Sequence, residues 1–121
     1  MDKTILVVDD ISINNFLVEK MFVTEKYNIL TAESGAQALE MIKENHIDLV
    51  LLDLMMPQMN GYEVLNAIKK NPETKDIKVV ILSALSDPLT KEKAMSMGAD
   101  DILSKPIVRQ RLIDTVARQL S

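Results

Sequence analysis

The stretch Asp48-Leu49-Val50-Leu51-Leu52-Asp53-Leu54-Met55-Met56-Pro57 decides how the chain is read. Leu49–Leu52 is a continuous apolar run rather than an alternating one, as expected of a strand covered on both faces. It delivers an aspartate, Asp53, at its far end. A carboxylate buried without a partner costs several kcal/mol. The strand end must therefore open onto chemistry that uses the charge.

Four further apolar runs lie outside that stretch: Ile5–Val8, Tyr27–Thr31, Val79–Leu82 and Ile102–Leu103. Between them the spacing turns helical. Ile13, Phe16, Leu17 and Met21 predict one buried stripe, Leu39 and Ile42 a second, and Leu65 and Ile68 a third. Ile113, Val116, Ala117 and Leu120 predict a last one near the C-terminus. Lys91–Met97 is polar apart from Ala94 and its methionines, which predicts a weakly buried helix. Ser12 and Ser34 are expected to cap the first two helices, and Gly61 to open the third. Asp87-Pro88 should start the fourth and Gly98 end it. Strict alternation of strand and helix without hairpin signals gives an α/β fold, a parallel sheet with helices on both faces. Right-handed crossovers leave few topologies. One domain is expected over residues 1–121, with no repeat or linker.

Composition narrows the function. Hydrophobic residues make up 47% and charged ones 26% of 121 residues, a globular balance. Aromatics are only 3%, so the core must be aliphatic, with the 8 methionines expected to fill its gaps. A net charge of -4 and few aromatics argue against direct nucleic-acid binding. The absence of cysteine excludes disulfides and thiolate chemistry. No apolar segment approaches the ~20 residues that span a bilayer, so no membrane insertion is expected and the cytoplasm is the expected location. His46, the single histidine, is expected to sit in a surface loop.

In open parallel α/β sheets, ligands bind outside the carboxyl ends of the strands. Following the apolar runs there are Asp9-Asp10, Asp53, Ser83 and Lys105. Two carboxylates ~5 Å apart repel by ~3 kcal/mol at an effective dielectric of ~20, and one lysine offsets only part of that. A hard divalent cation with oxygen ligands, Mg²⁺ or Mn²⁺ in its place, rewards such a cluster. With the cation bound, the cluster can receive a phosphoryl group. Asp53 would then be the nucleophile, and Lys105 and Ser83 would hold the transferring oxygens.

The motifs V-V-D-D (7–10), L-L-D-L-M-M-P-Q-M-N-G (51–61), V-I-L-S-A (80–84) and G-A-D-D-I-L-S-K-P (98–106) together resemble a response-regulator receiver domain, in order and across the whole chain. The resemblance implies a flavodoxin-like, doubly wound, five-stranded parallel sheet in the order 2-1-3-4-5 with five helices. It implies that Asp53 is the phosphoacceptor. Asp10 would ligate the metal directly, Asp9 largely through water, and Met55 through its backbone carbonyl. Lys105 would pair with the phosphoryl group, Ser83 would hydrogen-bond it, and the Lys105–Pro106 bond would be cis. The phosphodonor would be a histidine kinase or a histidine phosphotransfer protein. A downstream protein would be met by the face of the fourth helix, fifth strand and fifth helix. If nothing follows Ser121, output is by protein contact.

Two departures from the family pattern, and two of its variable positions, carry expectations of their own. Ile102 stands where the family usually has Tyr or Phe, a side chain that works with the Ser83 position as a switch. Ile107 follows Pro106 where Phe is common. Met55 and Leu85 occupy positions that tune dephosphorylation, and two bulky apolar groups there should lengthen the life of the phosphoryl group. Competing functions rank lower. A haloacid-dehalogenase-type phosphatase wants a second acid two residues after its nucleophile, where this chain has Met55. A flavin carrier wants hydroxyl- and glycine-rich phosphate loops, where this chain has Asp9-Asp10-Ile11-Ser12. An unphosphorylated interaction module would not need the constellation. The expected molecule is a regulator that catalyses only its own phosphorylation and dephosphorylation, not an enzyme acting on a separate substrate.

Overall fold

The computed structural model describes residues 2–56, 59–84 and 87–121. The elements alternate as β1 (Lys3–Val8), α1 (Ser12–Met21), β2 (Tyr27–Ala32), α2 (Gly35–Glu44), β3 (Leu49–Asp53), α3 (Gly61–Lys70), β4 (Lys78–Ser83), α4 (Pro88–Ser96), β5 (Asp101–Ser104) and α5 (Arg109–Leu120). All strand neighbours are parallel, in the order β2-β1-β3-β4-β5, the doubly wound flavodoxin-like arrangement expected.

The central strand β3 is buried along its whole length, which is why its sequence is continuously apolar. Its side chains alternate between two cores. Val50 and Leu52 join Leu6, Val8, Val64, Leu65, Ile68 and Ile81 under α2, α3 and α4. Leu49 and Leu51 join Ile5, Val7, Val18, Leu112 and Val116 under α1 and α5. Register then sets the height of the strand ends. Val8 lies opposite Leu52, Asp53 opposite Leu82, and Ser83 opposite Ser104. Asp9, Asp53, Ser83 and Lys105 therefore emerge within two residues of one level, at the carboxyl edge.

The caps of α2, α3 and α4 follow from short polar side chains. Ser34, Asn60 and Asp87 each accept the N–H three residues on, and Pro88 occupies the first turn of α4. Gly98 terminates α4 with φ +104°, a conformation that suits glycine. Among the described residues no helix is long and apolar enough to cross a membrane.

Four expectations need correction. Of the stripe Ile13, Phe16, Leu17, Met21, Met21 alone packs against the core: Ile13, Phe16 and Leu17 are exposed, and α1 buries Asn15 and Val18 instead. Those positions lie roughly half a helical turn away, where the Asn15 side chain is tied to backbone carbonyls at the sheet edge. A polar anchor sets the rotation of the helix and overrides its apolar pattern. Ser12 is not the cap of α1; it is the first helical residue, and Ile11 precedes it without a side-chain cap bond. On α5 the buried line is Leu112, Thr115 and Val116, leaving Ala117 exposed. Of the described methionines, Met56 is buried and the others are partly buried or exposed, so they rim the core more than they fill it.

Candidate functional site: an acidic cluster at the carboxyl edge of the sheet

β1 ends at Val8 and the chain turns through Asp9 and Asp10 into α1; β3 ends at Asp53 beside it. One carboxylate oxygen each from Asp9, Asp10 and Asp53 lies within 4.8 Å of the other two. Asp9 and Asp53 are buried and Asp10 is half-buried. Lys105 reaches back from the loop after β5, its Nζ 3.5 Å from Asp9 Oδ2 and 3.5 Å from Asp53 Oδ1. Both contacts are longer than the ~2.7–2.9 Å of a tight charge-assisted bond. The ammonium bridges the acids without being captured by either.

The acids differ in how far the protein has already committed them. Asp9 Oδ1 accepts the Ile11 N–H at 2.9 Å, and Oδ2 accepts Asn14 Nδ2 at 3.2 Å. Asp53 accepts the Met55 N–H at 3.3 Å on Oδ1, a longer bond than the one Asp9 takes from Ile11. Burial pushes the Asp53 carboxyl above its usual range. Lys105 and the Met55 N–H pull it down, and Asp9 adds to the upward push. A carboxylate whose ionised form is under-supported is what a cation would stabilise.

The donor set fits a small divalent ion. Oxygens on opposite sides of an octahedral Mg²⁺ stand ~4.2 Å apart, from bonds of ~2.1 Å. The three acids are already gathered on that scale, and oxygen donors alone suit a hard cation.

Other expected residues lie around the cluster. Ser83 is fully buried at the end of β4, and its carbonyl accepts the Lys105 N–H at 2.8 Å. The Lys105–Pro106 peptide is cis. The Met55 side chain is exposed at the rim. Ile102 is half-buried on β5, packed against the core under α2, α3 and α4. Leu85 lies outside the described residues. His46 is exposed, 3.0 Å from Asp48 Oδ1, away from the cluster in sequence and on a different loop.

Three supporting residues carry no expectation from the sequence as such. Asn14 and Asn15 both bond to Asp9; adjacent amides just after an acid pair are the available signal. Gly61 was read only as a helix opener. A Cβ there would lie 2.5 Å from the Asp53 carbonyl oxygen and 2.6 Å from Leu54 Cα, so α3 starts against the backbone that carries the acid. A cleft of about 320 Å³ adjoins the cluster, lined by Leu17, Val18 and Met21 of α1, Pro106 and Ile107 of the next loop, and Lys105.

Known proteins share this sequence pattern and fold. Residues 5–117 match the response regulator receiver domain family. The chain is 41% identical over 107 residues to the response regulator PleD of Caulobacter vibrioides, covering 88% of this chain and 24% of PleD. It thus spans about a quarter of the length of the first curated relatives it matches. It is 30% identical to the polar-differentiation response regulator DivK of Brucella ovis, covering 99% of this chain and 98% of DivK. The structure of the Vibrio cholerae chemotaxis protein CheY4 superposes with a TM-score of 0.93 at 27% identity, over 99% of this chain and 100% of that one. With the motifs, the strand order and the acidic edge in agreement, the chain belongs to the response-regulator receiver-domain family of two-component signalling.

Proposed function

We propose that residues 1–121 work as one receiver domain, a cytoplasmic switch that takes a phosphoryl group from a partner's phosphohistidine onto Asp53. The observation that carries this reading is the gathering of Asp9, Asp10 and Asp53 within 4.8 Å, with Lys105 bridging two of them. A bound Mg²⁺ would neutralise charge that develops on the phosphoryl oxygens. Asp10 and Asp53 would hold it directly, with the Met55 carbonyl. Asp9, whose two oxygens already accept protein donors, would act largely through water.

An Asp53 carboxylate oxygen attacks phosphorus, the P–N bond of the phosphohistidine breaks, and its electron pair returns to the imidazole. Lys105, loosely shared between the acids, turns to the transferred oxygens. The Ser83 hydroxyl hydrogen-bonds the phosphoryl group and reports it to the loop that follows. Water then attacks phosphorus, the Asp53 O–P bond breaks, and inorganic phosphate leaves the free Asp53 carboxylate. No separate substrate is turned over.

The donor, a histidine kinase or histidine phosphotransfer protein, approaches beside α1, where Ile13 (56% exposed), Phe16 (49%) and Leu17 (51%) form an apolar patch next to the cleft at Lys105. The downstream protein is met by the face of α4, β5 and α5. There Leu89 is 76% exposed and Ile102 lies half-buried, in place to change its packing together with Ser83.

Incubation with Mg²⁺ and a small acyl phosphate, read by mass spectrometry, should add one phosphoryl group to this protein and none to Asp53→Asn. Labelling that survives in Asp53→Asn would remove the assignment. Once Asp53 is labelled, Met55→Asn combined with Leu85→Glu should speed phosphate loss by admitting and orienting water. An unchanged half-life would rule out steric shielding by the two apolar side chains.

A further inference from the structure

We propose that Asn15 is a positioning residue for the metal site, holding the Asp9–Asp10 peptide so that Asp10 faces Asp53. Asn15 is 3% exposed, on the helix face that packs against the sheet, where an apolar side chain would be the ordinary occupant. Its Nδ2 donates to the Asp9 carbonyl and to the Ala32 carbonyl, both at 3.0 Å. Its Oδ1 is buried and has no hydrogen-bond partner among the described residues. A buried polar atom left unsatisfied calls for an explanation in function or strain. The two bonds supply one. They fasten α1 to the ends of β1 and β2 at the peptide that leads into Asp10, while Asn14 fixes the Asp9 carboxylate from the same turn of helix. Asp10, the least buried of the three acids, follows that peptide directly. Its direction therefore depends on a carbonyl that Asn15 holds.

The inference rests on the phosphoacceptor reading, and the test separates the two. Calorimetric titration with MgCl₂ compares the native protein, Asp10→Asn and Asn15→Leu, each also melted without metal. Asn15→Leu removes both donors and the orphaned acceptor while keeping the branched shape of the side chain. The expected result is Mg²⁺ affinity lowered at least about tenfold, the scale seen when partners of metal ligands are removed, together with a lower metal-free melting temperature from the two carbonyls left without their donor. A side chain that merely stabilised the fold would lower the melting temperature and leave affinity intact. Should Asn15→Leu not fold, Asn15→Ala deletes the same donors without bulk and carries the comparison. Native Mg²⁺ affinity in the Asn15 variant, alongside lost affinity in Asp10→Asn, would overturn this inference alone. A native protein that binds no Mg²⁺ would overturn the phosphoacceptor reading and this inference with it.

Discussion

At the scale of single residues, the site is a strand end made to hold a charge that its surroundings only partly support. Burial raises the Asp53 carboxyl pKa, against the opposing pull of Lys105 and the Met55 N–H. A carboxyl raised in the folded state makes the metal-free protein lose stability as pH rises from the ordinary carboxylate value through the folded one. Above that window the loss is complete; below the ordinary value it is absent. Asp53→Asn should therefore melt higher than the native protein at neutral pH without metal, and the gap should close in acid. Melting curves across that range check it, and a gap that widens in acid would contradict the sign. Gly61 is the second residue on which the site turns. A methyl group there meets backbone atoms of Asp53 and Leu54 that cannot swing aside. Gly61→Ala should cost about 1–3 kcal/mol by overpacking and slow acyl-phosphate labelling, because the strain falls on the peptide bearing Asp53. Unchanged melting together with unchanged labelling would show that the loop yields freely. Asp53 was legible because an apolar run ends on a charge. The role of Gly61 was not, because a glycine at a helix start also suits ordinary capping.

At the scale of elements, sequence periodicity worked where burial was purely apolar and failed where a polar group held the helix. β3 and β4 read correctly because both of their faces are covered. α3 read correctly because Val64, Leu65 and Ile68 all reach one core. α1 read backwards: its apolar side chains Ile13, Phe16 and Leu17 face outward, and its rotation is fixed by an asparagine amide on two carbonyls. No count of hydrophobic spacing could register those bonds, since they depend on where β2 ends. α4 read correctly as weakly held, burying only Thr90 and Ala94. Its first turn depends on Asp87, which accepts the Thr90 N–H at 3.1 Å and the Thr90 hydroxyl at 2.7 Å. These bonds to Thr90 hold the Asp87 carboxyl below its usual range. The cap's contribution is thus present above the ordinary carboxylate pKa and is lost as pH falls through the lowered folded value. Asp87→Ala should speed amide hydrogen exchange in α4 well before it affects the central strands, since weakly packed elements open locally. Exchange that rises equally in β3 would mean that α4 opens only with the whole fold.

At the scale of the whole molecule, the architecture brings into one place charges that are far apart in sequence. The parallel order β2-β1-β3-β4-β5 sets β1 against β3, and the register of Val8 with Leu52 fixes the level at which Asp9, Asp10 and Asp53 meet. The shared edge was readable from the sequence because four of the five apolar runs are followed by a candidate site residue. The strand order follows from the resemblance to receiver domains, since right-handed crossovers alone leave several topologies. What escaped was the scaffolding, the amides and the glycine that fix peptides rather than supply chemistry. A site assembled this way would couple fold stability to a bound cation. Mutual repulsion of three acids opposes folding, and an ion bound only by the folded state reverses that by mass action. At a hundred times its dissociation constant the gain is ~2.7 kcal/mol, which for a domain of this size corresponds to a melting shift of ~10 °C. Monovalent salt also relieves repulsion, through screening over ~10 Å at 0.1 M, so the comparison must be made at matched ionic strength with NaCl. Screening acts on any excess of negative charge, whereas binding requires the three oxygens together. MgCl₂ should accordingly raise the melting temperature well above the NaCl control in the native protein, and scarcely above it in Asp10→Asn. Equal shifts from the two salts would mean that the acids merely share a surface and do not grip a common ion.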